Sequence, residues 1–150
     1  MLTILMSIKP YFANRILDGL KKYEFRRKIF YIPSGSRIIV YASSPVKAII
    51  GEFTAGRIYL GKPEEIWQLF TSFPNSGIEE KDWDYIKGNR EVLAIEVVKP
   101  IRYPNPLTLN FIRSKIPYFR PPQSYMRIRV GDPLLDLIKQ YAYKGTKRTL

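Results

Sequence analysis

Gly19-Leu20-Lys21-Lys22-Tyr23-Glu24-Phe25-Arg26-Arg27 sets one carboxylate among Lys21, Lys22, Arg26 and Arg27 on a segment that must also feed a hydrophobic core. After Gly19, Tyr23 and Phe25 alternate with Lys22, Glu24 and Arg26. A strand here sends its rings inward and its charges to the opposite face. On that reading Arg27 falls on the ring side, away from the charged row. A charged row on one strand face can serve as a binding or reaction site.

The elements around this stretch read in both directions. Residues 3 to 8 form an apolar first strand, and Pro10 opens a helix at the position where proline loses no needed donor. Phe12, Ala13, Ile16, Leu17 and Leu20 recur at helical spacing, and Asp18-Gly19 stops the helix. The charged strand continues to about Ile29. A turn over Tyr31 to Ser36 leads into the strand Arg37 to Ala42, which Ser43-Ser44-Pro45 breaks. Lys47 to Tyr59 reads as another strand or a pair bent around Gly51 and Gly56. Gly56 to Lys62 imitates a phosphate-binding loop, but it holds Arg-Ile-Tyr-Leu inside and Pro63 where a hydroxyl is required, so a strand running into a helix accounts for it better.

Further along, Pro63 opens a helix with Ile66, Leu69, Phe70 and Phe73 on one face, and Ile78 to Ile86 forms a second, shorter one. Val92 to Val98 is a buried strand. The proline-rich stretch 100–122 carries a short helix near Leu107 to Ile112. Tyr125 to Val130 is the last strand, and Asp132-Pro133 caps a final helix. Strands outnumber helices without strict alternation, which argues for an α+β arrangement over a doubly wound sheet.

The 150 residues suit one domain with a real core. No segment approaches the ~20 apolar residues of a membrane span, and Met1 to Met6 lacks the features of a signal peptide. A soluble, cytoplasmic protein without membrane contact is expected. With no cysteine and no histidine, disulfides, thiolate and imidazole metal sites, cysteine nucleophiles and His-based triads are excluded. Lys, Glu, Asp, Tyr, Ser, Thr or Arg must carry any catalysis. No second carboxylate stands near Glu24 in sequence to help hold magnesium, so no metal and no cofactor is expected.

The formal charge of +12 points to a polyanionic partner. The charge is also polarised. From Val97 to Gly131 there is no acidic residue, and Lys99, Arg102, Arg113, Lys115, Arg120, Arg127 and Arg129 stand unopposed. Tyr103, Phe111, Tyr118, Phe119 and Tyr125 are interleaved with them, a mixture that suits single-stranded nucleic acid even though each ring taken singly reads as core. Arg120 and Arg127 are candidate phosphate contacts on this ground.

The run G-x-K-x-x-E-x-R (Gly19, Lys21, Glu24, Arg26) follows a short helix that itself follows Ser7-Ile8-Lys9-Pro10. With Tyr41-Ala42-Ser43-Ser44-Pro45 and Gly51-Glu52-Phe53 behind it, this order resembles the ASCH domain family of the PUA-like superfamily. The resemblance is strongest over residues 4 to 53, and Pro121 to Tyr125 extends it, while residues 61 to 90 carry no family signature. It implies a small mixed or antiparallel PUA-like β-barrel with flanking helices over residues 1–143, followed by a basic tail, 144–150. It also implies a cleft beside the charged motif, and an RNA or nucleotide ligand.

In that cleft Lys21 and Arg26 would meet a phosphate or base edge while Glu24 accepts from an exocyclic amine. The resemblance adds Lys9 from the Ser-Ile-Lys-Pro turn. Tyr41, Ser43 and Ser44 at a strand end, and Gln123 and Ser124, are further candidates to line it. One function that fits is a module recognising a base or modified nucleoside. The alternative is an enzyme, a nucleoside amidohydrolase or a ribonuclease, with Lys21 as base or nucleophile and Glu24 as proton shuttle. The amidohydrolase members carry Thr where this chain has Glu24, which weighs against that chemistry. A protein partner, as in a transcription-regulating module, fits the same residues.

Overall fold

The structure is a computed structural model and describes residues 2–144. In chain order the elements are β1 (Thr3–Ile8), α1 (Pro10–Leu17), β2 (Tyr23–Arg26), β3 (Arg37–Ala42), β4 (Ala48–Gly61), α2 (Pro63–Thr71), α3 (Glu80–Ile86), β5 (Val92–Thr108), α4 (Leu109–Lys115), β6 (Tyr125–Ile128) and α5 (Pro133–Leu137), the last running into a π turn over Ile138–Ala142. Six strands form one mixed sheet in the order β2-β5-β4-β3-β1-β6. Among the described residues only β1 and β3 pair in parallel; the other pairings are antiparallel. The sheet curls into a half-barrel, an α+β architecture as the sequence implied. Among the described residues no helix is long and apolar enough to cross a membrane.

β1 and β3 are apolar almost throughout because both of their faces are covered. Ile4, Met6, Ile8, Ile38 and Val40 pack with Ala13, Ile16 and Leu17 of α1. Leu5, Ile39 and Tyr41, one residue out of phase, pack on the other side with Ile112, Leu134, Leu137 and Ile138. A third cluster joins Phe25, Val92 and Ala94 to Ile66 and Phe70 of α2 and Ile86 of α3.

The strand read over Val92 to Val98 extends into the proline-rich stretch. β5 continues to Thr108, because Pro100 falls in the register shift between the Thr54–Val98 and Glu52–Ile101 pairs, and Pro104 and Pro106 fall between Gly51–Arg102 and Ile49–Leu107. A missing N–H costs no ladder bond where pairing has already lapsed. Lys47 to Tyr59 is one long strand rather than two, bent by the same shifts. The imitation phosphate loop is the end of β4 running into α2.

Several elements are shorter than their patterns suggest. α1 stops at Leu17 and leaves Leu20 54% exposed. β2 stops at Arg26 rather than near Ile29, and β6 at Ile128 rather than Val130. The short helix of the proline-rich stretch is α4, with Thr108 Oγ1 accepting from the Phe111 amide as its cap, and Asp132 caps α5 as its sequence indicates. The expected basic tail, apart from Lys144, lies outside the described residues.

Candidate functional site

Gly19 adopts a left-handed backbone, φ +77°, immediately after the Asp18 cap of α1. That turn lets the amides of Leu20 and Lys21 both donate to the Arg15 carbonyl, at 2.9 and 3.0 Å. From the other side Gly77, φ +75°, lies so close that a Cβ there would meet the Leu20 carbonyl oxygen at 1.8 Å and the Lys21 Cα at 2.9 Å. Arg15 Nη2 donates to the Gly77 carbonyl at 3.1 Å, and the Lys22 amide donates to the Ser76 carbonyl at 2.9 Å. Lys21 is thus fixed at its backbone by the end of one helix and the loop before another.

Its side chain turns inward, 2% exposed. Nζ donates to Oδ1 of Asp82, itself 2% exposed, and sits 5.1 and 4.7 Å from the ring centres of Phe12 and Phe25. Asp82 Oδ2 accepts from the Glu79 amide at 2.8 Å, so one carboxylate caps α3 and holds the amine. Beside this pair lies a second. Arg26 Nη1 donates to Glu24 Oε2 at 2.9 Å and to the Ser7 carbonyl at 3.2 Å. Arg26 Nη2 donates to Oγ and the carbonyl of Ser124 at 2.9 and 3.3 Å. The Nε of Arg26 is buried and finds no acceptor among the described residues.

The two pairs border a cleft of about 200 Å³ whose wall is completed by Ser7, Lys9, Arg27, Ser43, Tyr85 and Gln123. Of the residues singled out in the sequence, Lys9, Lys21, Glu24, Arg26, Ser43 and Gln123 meet here, and Ser124 stands behind Arg26 in the adjoining groove. Tyr41 does not: it is 4% exposed in the core against α4 and α5, where burial pushes its hydroxyl up and Arg113 only partly opposes this. Arg120 lines a different groove with Arg113 and Tyr118, and Arg127 is exposed on β6 without lining the cleft. Ser44 is exposed and also outside the lining.

Three features differ from the pattern-based picture. The charged face of β2 is not solvated but closed over, with Glu24 and Arg26 at 4% and 6% exposure. Lys22, assigned to that face, is exposed and donates to the Gly19 carbonyl. Arg27, assigned to the ring side, lines the cleft because regular strand ends at Arg26, and its guanidinium lies 4.4 Å from the Tyr85 ring centre.

Asp82 and Tyr85 carry no motif that marks them in the sequence. The helix bearing them was expected, but helical spacing alone does not reveal what a polar face meets. Asp82 supplies the second carboxylate that appeared to be lacking beside Glu24. Burying two ion pairs costs desolvation that apolar residues of the same shape would avoid, so such pairs are poor stabilisers and good candidates for function.

The fold and the relatives together define the class: the chain belongs to the ASCH domain family. It is 31% identical over 140 residues to an ASCH domain-containing ribonuclease from Zymomonas mobilis, covering 90% of this chain and 91% of that one. A crystal structure of ASCH from Zymomonas mobilis superposes with a TM-score of 0.77 at 28% identity over 90% of this chain and 94% of the other. A point variant of the Zymomonas protein gives 0.80 at 26% over 94% and 99%. The ribosomal protein uL22 of Ureaplasma parvum is 31% identical over 109 residues, 72% of this chain and 34% of that protein. No protein-family model matches the chain.

Proposed function

We propose that the cleft takes one unstacked nucleotide of a single-stranded RNA and that the backbone is cleaved beside it. The observation that carries this reading is the convergence of Lys21–Asp82 and Glu24–Arg26, four nearly buried charged side chains, on one concave wall. At about 200 Å³ the cleft is smaller than the roughly 300–1,000 Å³ of sites for drug-sized ligands, which fits one base or phosphate and its immediate surroundings. The ribonuclease named among the relatives adds support from its own activity.

Within the paired geometry Lys21 is a hydrogen-bond donor to Asp82, and this favours a proton-giving and charge-stabilising role over that of base or nucleophile. Glu24 is the group left to accept. It takes the proton of the 2′-hydroxyl, whose oxygen attacks the neighbouring phosphorus. The P–O5′ bond breaks, Lys21 protonates the departing O5′, and the products are a 2′,3′-cyclic phosphate and a 5′-hydroxyl. Arg26 and the exposed Lys9 offset the charge on the phosphoryl oxygens. Incubation with labelled single-stranded RNA in magnesium buffer tests this. Lys21→Ala and Glu24→Gln are each expected to slow cleavage about 100- to 10,000-fold, and a 2′-deoxy substitution at the cut position to abolish it. Undiminished turnover in Lys21→Ala overturns the assignment. Hydrolysis of acetylated cytidine with RNA left intact would identify an amidohydrolase instead.

A further inference from the structure

The cleft does not end at its own rim. On one side it opens into a groove that shares Lys9, Phe12, Arg27 and Tyr85 with it and adds Tyr11 and Lys81. It also adjoins a groove that shares Arg26, Arg27, Tyr85 and Gln123 with it and adds Lys28 and Tyr125. Arg27 and Tyr85 therefore stand at the junction of all three.

Along this line each outward ring carries a cation. Lys81 Nζ lies 4.1 Å from the Tyr11 ring centre, the Arg27 guanidinium 4.4 Å from Tyr85, and Lys28 Nζ 5.6 Å from Tyr125. Tyr125 is further backed by Phe30, stacked at 3.7 Å with 17° between planes. Tyr11 is 42% exposed, and Tyr85 and Tyr125 are half-buried. An isolated surface pair of this kind contributes little. A succession of them at one groove floor is instead the combination that single strands use, bases on rings and guanidinium planes with phosphates on the adjacent cations. The lining suits a polyanion, for its one carboxylate outside the cleft, Asp84, is paired with Lys87 at 3.2 Å.

Resting on the RNA reading above, we infer that the strand crosses the cleft from Tyr11, past Tyr85, to Tyr125, so that the nucleotides flanking the bound one stack on Tyr85 and on the Tyr125–Phe30 slab. Of the acid-free stretch from Val97 to Gly131, only Gln123 to Tyr125 border this track. The exposed groove at Arg113, Tyr118 and Arg120 shares no residue with the cleft, and Arg113 Nε is engaged by the Phe119 carbonyl at 3.1 Å.

Fluorescence anisotropy with a labelled single strand of 2′-fluoro RNA, which lacks the attacking hydroxyl, provides the test. Tyr85→Ala and Tyr125→Ala are each expected to weaken binding about 5- to 100-fold. Tyr85→Phe, Tyr125→Phe and the pair Arg113→Ala/Arg120→Ala should stay near the wild-type affinity. Wild-type binding that is unchanged in both alanine variants overturns the track while leaving the RNA reading in place. No binding by the wild-type protein even at low salt removes both. Photocrosslinking of 4-thiouridine RNA to the unaltered protein guards against misfolded variants: crosslinks at Tyr85 or Tyr125 support the track, and crosslinks confined to Tyr118 overturn it.

Discussion

Lys21 and Asp82 are 61 residues apart in the chain and share a hydrogen bond. Removing one member of a buried pair leaves the other charge without compensation, at a cost of about 3–5 kcal/mol. Asp82→Leu should therefore lower urea-unfolding stability by that amount. Adding Lys21→Met should restore most of it, short of the ~1 kcal/mol lost with the α3 cap, while RNA cleavage stays abolished. A double variant as unstable as the single one would mean that the pair is structural. Half of this pair was legible in the sequence. Lys21 stood out through its place in the motif, whereas Asp82 looked like any acidic residue in the first turn of a short helix, and only the packing of α3 against β2 brings the two together.

Elements fix this geometry through two close approaches, and the loop Asn75 to Gly77 is the more exacting. Gly77→Ala forces a left-handed backbone onto a residue with a Cβ, at about 1–2 kcal/mol, and drives that Cβ into the Leu20 carbonyl. The expected outcome is a loss of cleavage larger than the drop in folded fraction, as read by circular dichroism and initial rates on the same sample. Gly88→Ala is the control: its φ is +77° but nothing lies within 4 Å of the added Cβ, so it should show the backbone cost with activity retained. Strand and helix positions were largely readable because apolar spacing reports the core directly. The prolines of β5 hid its full length because sequence shows that a donor is missing and not whether the ladder needs one there. The basic stretch is also more divided in space than in sequence: acid-free sequence is not contiguous surface, and Arg102 pairs with Asp18 at 2.8 Å.

At the scale of the whole molecule, Glu52 ties the sheet to the chain's end. It accepts from Arg37 Nε and Nη2 at 3.1 and 2.7 Å, from the buried Tyr103 hydroxyl at 2.6 Å and from Tyr143 at 3.0 Å. Burial pushes its carboxyl up, but the bonds from Arg37, Tyr103 and Tyr143 outweigh this and hold it below the ordinary range. A lowered folded value means that the stability it contributes is present above the unfolded pKa of about 4.3 and is lost as pH falls through the folded value. Wild-type protein should thus lose more stability than Glu52→Gln between about pH 5 and 3, measured as urea midpoints. Burial and the Glu52 carboxylate push the Tyr103 hydroxyl up; its contribution is present below about pH 10 and is lost above it, as pH rises through the raised folded value.

The two outermost strands of the sheet, β2 and β6, share no backbone ladder. Arg26 leaves β2 and reaches the Ser7 carbonyl at the end of β1 and Ser124 just ahead of β6. One guanidinium thus bridges the slit that the backbone leaves unjoined, and the residue that carries it also lines the cleft. A ligand that drew on Arg26 would compete with those bonds, so by linkage occupancy of the cleft and closure of the half-barrel would be coupled. A substitution that loosened the slit would be felt first as weakened affinity and only afterwards as unfolding.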